Sequence, residues 1–341
     1  MSTYTPLSII LEIKATVLSH RAQKLRQSSF STEELIQHYE SLLTFAKSDS
    51  CIDALMELKQ FVLEHGIPSG GPCTETSQPH SPFARTVNNT GIQNYGSDCL
   101  RAKIWKLLLG VPLYFDVDSY VRKSEEVNNS YDNKIKDDAF RTFKVDEDFW
   151  SRTNEDVLIR ILKALSHDVG YVQGINVLLG PFLYVMPELD AYYCCHTLCT
   201  EHIPSYIRKN LEGVHSGISL LDKCLKLLDP KLYQYIIAKV SDLRIFALKY
   251  ILTLMANVQP LSEVLKIWDS IFAFGVHFSI ILFCCYLINI RDELLAEPSS
   301  FKICTMIEKG SLDSELLIKM GLASIEFIPT DVYEELIDHI Y

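Results

Sequence analysis

Two short segments hold residue types at spacings that could do chemistry. In Ile135-Lys136-Asp137-Asp138-Ala139-Phe140-Arg141-Thr142-Phe143, the residues Ile135, Asp138 and Arg141 recur every three positions. On a helix, Asp138 then lies one turn from Arg141 and can orient its guanidinium. In Gly170-Tyr171-Val172-Gln173-Gly174-Ile175-Asn176, a primary amide stands between glycines just ahead of an apolar run. Gly170 and Gly174 would let a partner's backbone come close. A guanidinium keeps its charge at any working pH and presents a rigid fork of donors. One amide offers both a donor and an acceptor. Taken singly, each segment also has a plain account, a surface Arg–Asp pair in one case and a glutamine at a helix start in the other.

Other constellations lead nowhere chemical. The run Cys194-Cys195-His196-Thr197-Leu198-Cys199-Thr200-Glu201-His202 puts Cys195, Cys199 and His202 on one helical face. Three ligands on one helix cannot enclose a tetrahedral ion, and no C-x-x-C pair elsewhere supplies the rest. Cysteine is among the most buried residue types, so core packing is the favoured reading. No phosphate-cradling glycine loop, dinucleotide fingerprint or nucleophile elbow is present. Adjacent acids such as Asp137-Asp138 and Glu125-Glu126 diverge by about 100° on a helix and do not form a working pair.

The elements that must position these residues read as helices throughout. Residues 6–27 are amphipathic with a basic end, Ser31-Thr32-Glu33-Glu34 forms a capping box opening a helix through Leu43, and a third helix spans 51–64 before Gly66 and Pro68. Residues 67–98 cluster Gly, Pro, Ser, Thr and Asn and predict a long flexible insertion. Beyond it the periodicity predicts helices near 99–109, 116–126, 131–142, 154–167, 171–186, 190–203, 215–229, 231–240, 243–257, 261–274, 277–295, 312–321 and 330–340. Asn154 ahead of Glu155 and Asp156 is a helix start with acids on the positive end. The expected fold is therefore all-α, with residues 1–50 an N-terminal helical extension and 51–340 one large helical domain carrying the 67–98 insertion.

Composition narrows the partners. The 341 residues hold 32 basic and 43 acidic side chains, a formal charge of −11, which is a poor footprint for binding phosphate backbones. Nucleic acid and anionic membranes are not expected partners. Ten cysteines lie mostly in apolar runs and the first residues lack a basic n-region, so reduced thiols in a cytoplasmic protein are expected. The sequons at Asn88 and Asn128 then carry no weight, and Ser81-Pro82 is weak evidence for phosphorylation. Residues 270–290 form 21 positions without charge, long enough to cross a bilayer. Gly275 divides that run, however, and two buried helices of an all-α core give the same composition.

Taken together, the two reactive segments resemble the TBC domain of GTPase-activating proteins for Rab-type small GTPases. The resemblance is carried by I-x-x-D-x-x-R over Ile135–Arg141 and by Y-x-Q-G beginning 30 residues beyond Arg141 at Tyr171. Arg101-Ala102-Lys103-Ile104-Trp105 with Gly110 is similar to the domain's opening R-x-x-x-W motif. Leu58–Pro68 is similar to the stretch before it, and Ile267-Trp268-Asp269 with Gly275 to the segment near its end. Three positions depart from the common pattern: Lys144 stands where many relatives have proline, Tyr250 where many have tryptophan, and the insertion separates Pro68 from the R-x-x-x-W segment. Tyr171-Val172-Gln173-Gly174, Ile203-Pro204-Ser205-Tyr206, Lys209-Asn210-Leu211 and Leu228-Asp229-Pro230-Lys231-Leu232 further resemble the fungal branch of mitotic exit and septation.

The resemblance implies a multi-helix TBC fold and a GTPase activator that is not an enzyme in the strict sense. It implies Arg141 and Gln173 as catalytic groups acting in trans. Asp138, Ile135, Arg101 and Trp105 would support them, and Tyr171 and Gly174 would shape the Gln173 loop. No cofactor or metal of its own is implied, since GTP and Mg²⁺ come with the partner GTPase. The branch implies a scaffold subunit of a two-component activator, a spindle-checkpoint role and a place at the spindle pole body. The rival expectations are a non-catalytic helical adaptor that binds a GTPase or scaffold, and, more remotely, an integral membrane protein.

Overall fold

The computed structural model describes residues 30–45, 51–68, 99–112, 115–125 and 130–341. The expected helix over 6–27, the body of the insertion at 69–98, Ser81 and both sequons lie outside them. Every regular element among the described residues is helical, as the periodicity predicts, and none is a strand. The α-helices are α1 Thr32–Phe45, α2 Cys51–His65, α3 Leu100–Leu109, α4 Val117–Ser124, α5 Asp132–Arg141, α6 Glu147–Arg152, α7 Glu155–Val169, α8 Ile175–Val185 and α9 Glu188–Thr197. They continue with α10 Glu212–Leu228, α11 Pro230–Val240, α12 Arg244–Leu252, α13 Leu261–Phe274, α14 Phe278–Asn289, α15 Arg291–Ala296, α16 Ser300–Lys309, α17 Ser314–Ser324 and α18 Thr330–Asp338. A π-helical turn, Leu198–His202, extends α9, and a 3₁₀ turn, Ile325–Phe327, precedes α18.

Local chemistry sets many of the boundaries. The capping box forms as expected, with Ser31 N donating to Glu34 Oε2 at 2.7 Å and Glu34 N to Ser31 Oγ at 3.3 Å. Asn154 caps α7 by accepting from Val157 N at 3.0 Å, and Asp146 caps α6 by accepting from Phe149 N at 2.9 Å. Asp229 caps α11, whose first residue is Pro230, a proline at the position where a missing N–H costs nothing.

The helices fall into two units. One comprises Pro68–Lys209 and holds α3 to α9. Helix α7 lies at its centre, packed by α4, α5 and α9, while α8 packs against α9, α6 and α5. Its core includes Trp105, Phe149, Ile161, Leu165 and Phe182, all fully buried, with the Trp105 and Phe182 rings edge-to-face at 5.8 Å. Polar ties reinforce it. Arg160 grips Glu188 with two bonds of 2.8 Å, Tyr120 donates to the same carboxylate, and Lys106 pairs with Asp190 at 3.2 Å.

The other unit combines the residues up to Ile67 with Asn210–Tyr341. Here α2 packs on α1 and α13, α14 packs on α10 and α17, and α18 packs on α10. Trp268 is fully buried and donates to Leu254 O at 3.0 Å. Tyr250 is buried, stacks on Phe283 at 4.4 Å and donates to Ile307 O at 2.9 Å.

The uncharged run at 270–290 is not a span. Gly275, at φ +129°, separates α13 from α14, and among the described residues no helix is long and apolar enough to cross a membrane. Helix α14 has 12 residues, about 18 Å, against a hydrocarbon core of about 30 Å.

Several boundaries differ from expectation. Helix α8 starts at Ile175, not at 171, because Gly174 takes φ +113°, which no helix allows. The helix expected over 243–257 ends at Leu252, where Leu254 and Met255 turn to positive φ. The helix expected over 277–295 breaks after Asn289. Helices α6 and α16 are additional. Cys194, Cys195 and Cys199 are fully buried, and no metal-holding cluster of His, Cys, Asp and Glu exists among the described residues. His202 instead bonds Leu109 O at 3.0 Å. Among the described residues seven cysteines are free thiols, while Cys99 is disulfide-bonded, against the expectation of reduced thiols.

Candidate functional site

Helix α5 carries the first reactive segment. Ile135 and Ala139 are fully buried and Asp138 nearly so, so this face of the helix points inward. Arg141 ends the helix with its side chain half exposed, and its Nη2 donates to Asp138 Oδ1 at 2.5 Å. The i, i+3 pair expected on the helix surface therefore exists, but with its acid turned inward.

The second segment is a turn between two helices. Gly170 closes α7 at φ +76° and Gly174 opens α8 at φ +113°, positions that suit glycine because side-chain-bearing residues rarely adopt such angles. Across the turn Ile175 N donates to Val172 O at 3.2 Å, and Gln173 is exposed. Tyr171 reaches back to α5, its hydroxyl donating to Asp138 Oδ2 at 2.6 Å. One carboxylate thus holds Arg141 on one oxygen and the residue two before Gln173 on the other. Burial and the Asp138 charge push the Tyr171 phenol far above its ordinary range, so it remains a donor.

A second set of bonds lies beneath. Thr142, 1% exposed, donates its hydroxyl to Asp138 O at 2.6 Å. Asn176 donates to Thr142 Oγ1 at 2.8 Å and more weakly to Asp138 O at 3.4 Å, and its Oδ1 accepts from Gly174 N at 3.1 Å. After Thr142 the chain bends through Phe143 at φ +44°, a costly angle for a residue with a side chain. Trp150 Nε1 holds Phe143 O at 3.2 Å, and the Phe143 ring lies where a Cβ on Gly180 would come within 2.0 Å of it. Helix α8 therefore needs glycine at position 180.

Phe140, Lys144, Trp150, Thr153, Asn154 and Glu155 line a cleft of about 330 Å³. Phe140 and Val145 expose 61% and 82% of their surface, and the Lys144 ammonium lies 4.2 Å from the Phe140 ring centre.

The sequence-predicted residues thus separate by position. Arg141, Asp138, Tyr171, Gln173 and Gly174 belong to one constellation, with Ile135 as its anchor in the core. Trp105 is a core residue against Phe182 of α8, and Arg101 lies on the same helix, α3. Sequence reading passed over Thr142 and Asn176, although a polar asparagine in the first turn of an apolar helix is a visible signal. The arrangement offers an exposed permanent cation and an exposed amide on neighbouring turns with a shared brace. It has no nucleophile–base pair and no ligand set.

Comparison with known proteins gives the family. Residues 98–295 match the model of the RabGAP-TBC family, the Rab-GTPase-TBC domain. The cell division control protein 16 of Schizosaccharomyces pombe is 35% identical over 72% of this chain and 82% of its own length. The mitotic check point protein BUB2 of Saccharomyces cerevisiae is 33% identical over 70% of this chain and 84% of its own. The solved Ypt/Rab-GAP domain of Gyp1p superposes with a TM-score of 0.63 at 19% identity, covering 86% of this chain and 97% of that one, a likeness of fold. With a family match spanning more than half its length, this chain belongs to the Rab-GTPase-TBC domain family of GTPase activators and is related to the BUB2 and Cdc16 mitotic checkpoint proteins.

Proposed function

We propose that this chain accelerates GTP hydrolysis by a Ras-like, Rab-type small GTPase, supplying Arg141 and Gln173 in trans. A small GTPase alone stabilises the developing phosphate charge poorly and orients its attacking water poorly, and an arginine donated in trans is worth about 10³–10⁵ in rate. Arg141 neutralises charge growing toward the β–γ bridging oxygen. Asp138 engages one guanidinium nitrogen, leaving the rest of the fork to reach the phosphates. Gln173 positions the water, its amide accepting from the water while donating to the transferring phosphoryl group. GTP and Mg²⁺ travel with the partner, and the activator contributes side chains only.

The observation that carries this reading is the shared brace, Asp138 bound to both Arg141 and Tyr171, which sets two exposed side chains of complementary chemistry on adjacent turns. The wider role extends from the relatives. We place the activating domain at 51–340 and read the chain as the catalytic subunit of a two-component activator, working with a scaffold subunit at the spindle pole body to restrain mitotic exit or septation.

Single-turnover GTP hydrolysis tests it, using small GTPases of the same organism with wild type, Arg141→Ala and Gln173→Ala, with and without a candidate scaffold subunit. The expected result is acceleration by the wild type that both variants lose while still binding the GTPase. Binding without acceleration, even with the scaffold, would make the chain an adaptor.

A further inference from the structure

Asn176 joins the two reactive turns, and neither proposed finger role uses it. It is 3% exposed, and its amide spans from the backbone of the Gln173 turn to the end of the helix that bears Arg141. Donor arithmetic fixes its orientation. The single Thr142 hydroxyl proton goes to Asp138 O, so Thr142 Oγ1 can only accept from Asn176 Nδ2. The opposite end, Oδ1, is then left to accept from Gly174 N. That N–H belongs to the start of α8, where backbone donors have no partner within the helix, and it sits on a glycine that offers no side-chain restraint.

We propose that Asn176 is a positioning residue for the GTPase-activating reaction, with Thr142 as its relay, holding the Gln173 turn in register with the Arg141 helix. The inference rests on the reading of Gln173 given above. The α5 side of the link is independently fixed, by Ile135 and Ala139 in the core and by Trp150 on Phe143 O. The movable side is the turn, so loss of the link acts through Gln173. Tyr171 fixes the turn's entry at Asp138 and Asn176 fixes its exit at Gly174, which leaves only Val172 and Gln173 between two anchors.

The test is single-turnover hydrolysis with activator in excess, reading the saturating rate separately from the half-saturating activator concentration. The variants are Asn176→Ala, Thr142→Val and Thr142→Ser, the threonine pair also on a Gln173→Ala background, each checked by thermal unfolding to be folded at the assay temperature. Thr142→Val removes the relay without changing side-chain shape, so it decides the matter if Asn176→Ala fails to fold. Asn176→Ala and Thr142→Val should each lower the saturating rate about tenfold, the loss of about one hydrogen bond, with the half-saturating concentration within about twofold of wild type. Thr142→Ser, which keeps the hydroxyl, should restore the rate, and Thr142→Val should change the Gln173→Ala rate by less than about twofold. A merely structural role would remove active protein and shift the half-saturating concentration instead. Thr142→Val at the wild-type rate, or an equally large loss on the Gln173→Ala background, would overturn the inference. Gln173→Ala as fast as wild type would instead sink the glutamine finger itself, and this inference with it.

Discussion

The Tyr171 hydroxyl meets the Asp138 carboxylate at 2.6 Å, on the oxygen that Arg141 leaves unused. A single buried acid thereby braces the end of α5 and the turn before α8, across 33 residues of sequence. The bond is charge-assisted, and burial together with Asp138 raises the phenol far above its ordinary range.

That relationship makes Tyr171→Phe informative. The ring and its packing 5.9 Å from Tyr131 survive while one donor to an ionised acceptor is lost. Hydrogen bonds to charged groups contribute about 1.5–3 kcal/mol when buried, and this one is only part-buried, so a stability loss of about 1 kcal/mol is expected. The saturating hydrolysis rate should fall about tenfold while GTPase binding holds. Urea denaturation and single-turnover kinetics on the same preparation check both numbers, and an unchanged rate would mean the brace does not position Gln173.

Arg141→Lys separates charge from geometry. Lysine keeps the positive charge but loses the planar fork that can hold Asp138 and a phosphate oxygen together. Because the Arg141 side chain is half exposed, the fold should be unaffected and the unfolding free energy should stay within about 0.5 kcal/mol of wild type. Most of the acceleration should nevertheless vanish. Full activity in the lysine variant would leave charge alone as the requirement.

Gly180→Ala probes the strained turn beyond Arg141. The added Cβ would fall 2.0 Å from the Phe143 ring, so Phe143 must move, and with it the φ +44° bend that follows Thr142. Overpacking of this kind costs about 1–3 kcal/mol. Expected are a lowered unfolding midpoint and a lowered saturating rate, whereas Trp105→Ala, on a fully buried ring, should cost about 3–5 kcal/mol with its activity loss following the unfolded fraction. A Gly180→Ala protein with lowered stability but the wild-type rate would show that the turn does not steer Arg141.

These variants also mark where the sequence could be read and where it could not. The Asp138–Arg141 pair was visible because it is a property of one helix, whereas the burial of Asp138 depends on what packs over that helix. The break at Gly275 was visible for the same reason, since it divides an uncharged run into two pieces too short to span a bilayer. The start of α8 was misplaced because Tyr171 to Gln173 have side chains that a helix accepts. What ends the helix is the angle at Gly174, stabilised by Asn176 and by a tyrosine bonded to a different helix. Helix α6 has only six residues and α16 buries only Ile303 and Ile307, so neither presents a long periodic stripe. Phe143 at positive φ has no sequence signal, because the ring's site against Gly180 and Phe149 exists only once α6 and α8 have docked.

The remaining prediction concerns acid. His277 is fully buried beside the Tyr333 hydroxyl, and burial, with His339 nearby, holds its pKa down to about 3. His339 is held down to about 4, again by burial, against the opposing pull of Leu336 O at 2.6 Å. Above the ordinary histidine value near 6.5 both are neutral in the folded and unfolded chains and cost nothing. As pH falls from about 6.5 toward 4, the unfolded chain takes up two protons that the folded protein refuses, so stability falls with falling pH, by about 1 kcal/mol per pH unit for each histidine. Carboxylates held low by their partners, Asp168 with Lys123 and Tyr192 and Glu263 with Lys266 and Ser314, withdraw their stabilisation only below about pH 4.5. The window from pH 7 to 5 therefore reports mainly the histidines, with partly buried His196 acting in the same direction. Urea denaturation at the two values should show a loss of about 2–4 kcal/mol at pH 5, and His277→Leu should remove close to half of that difference. A flat profile would mean that both rings can be protonated in the folded protein, and that α13, α14 and α18 do not seal them from water.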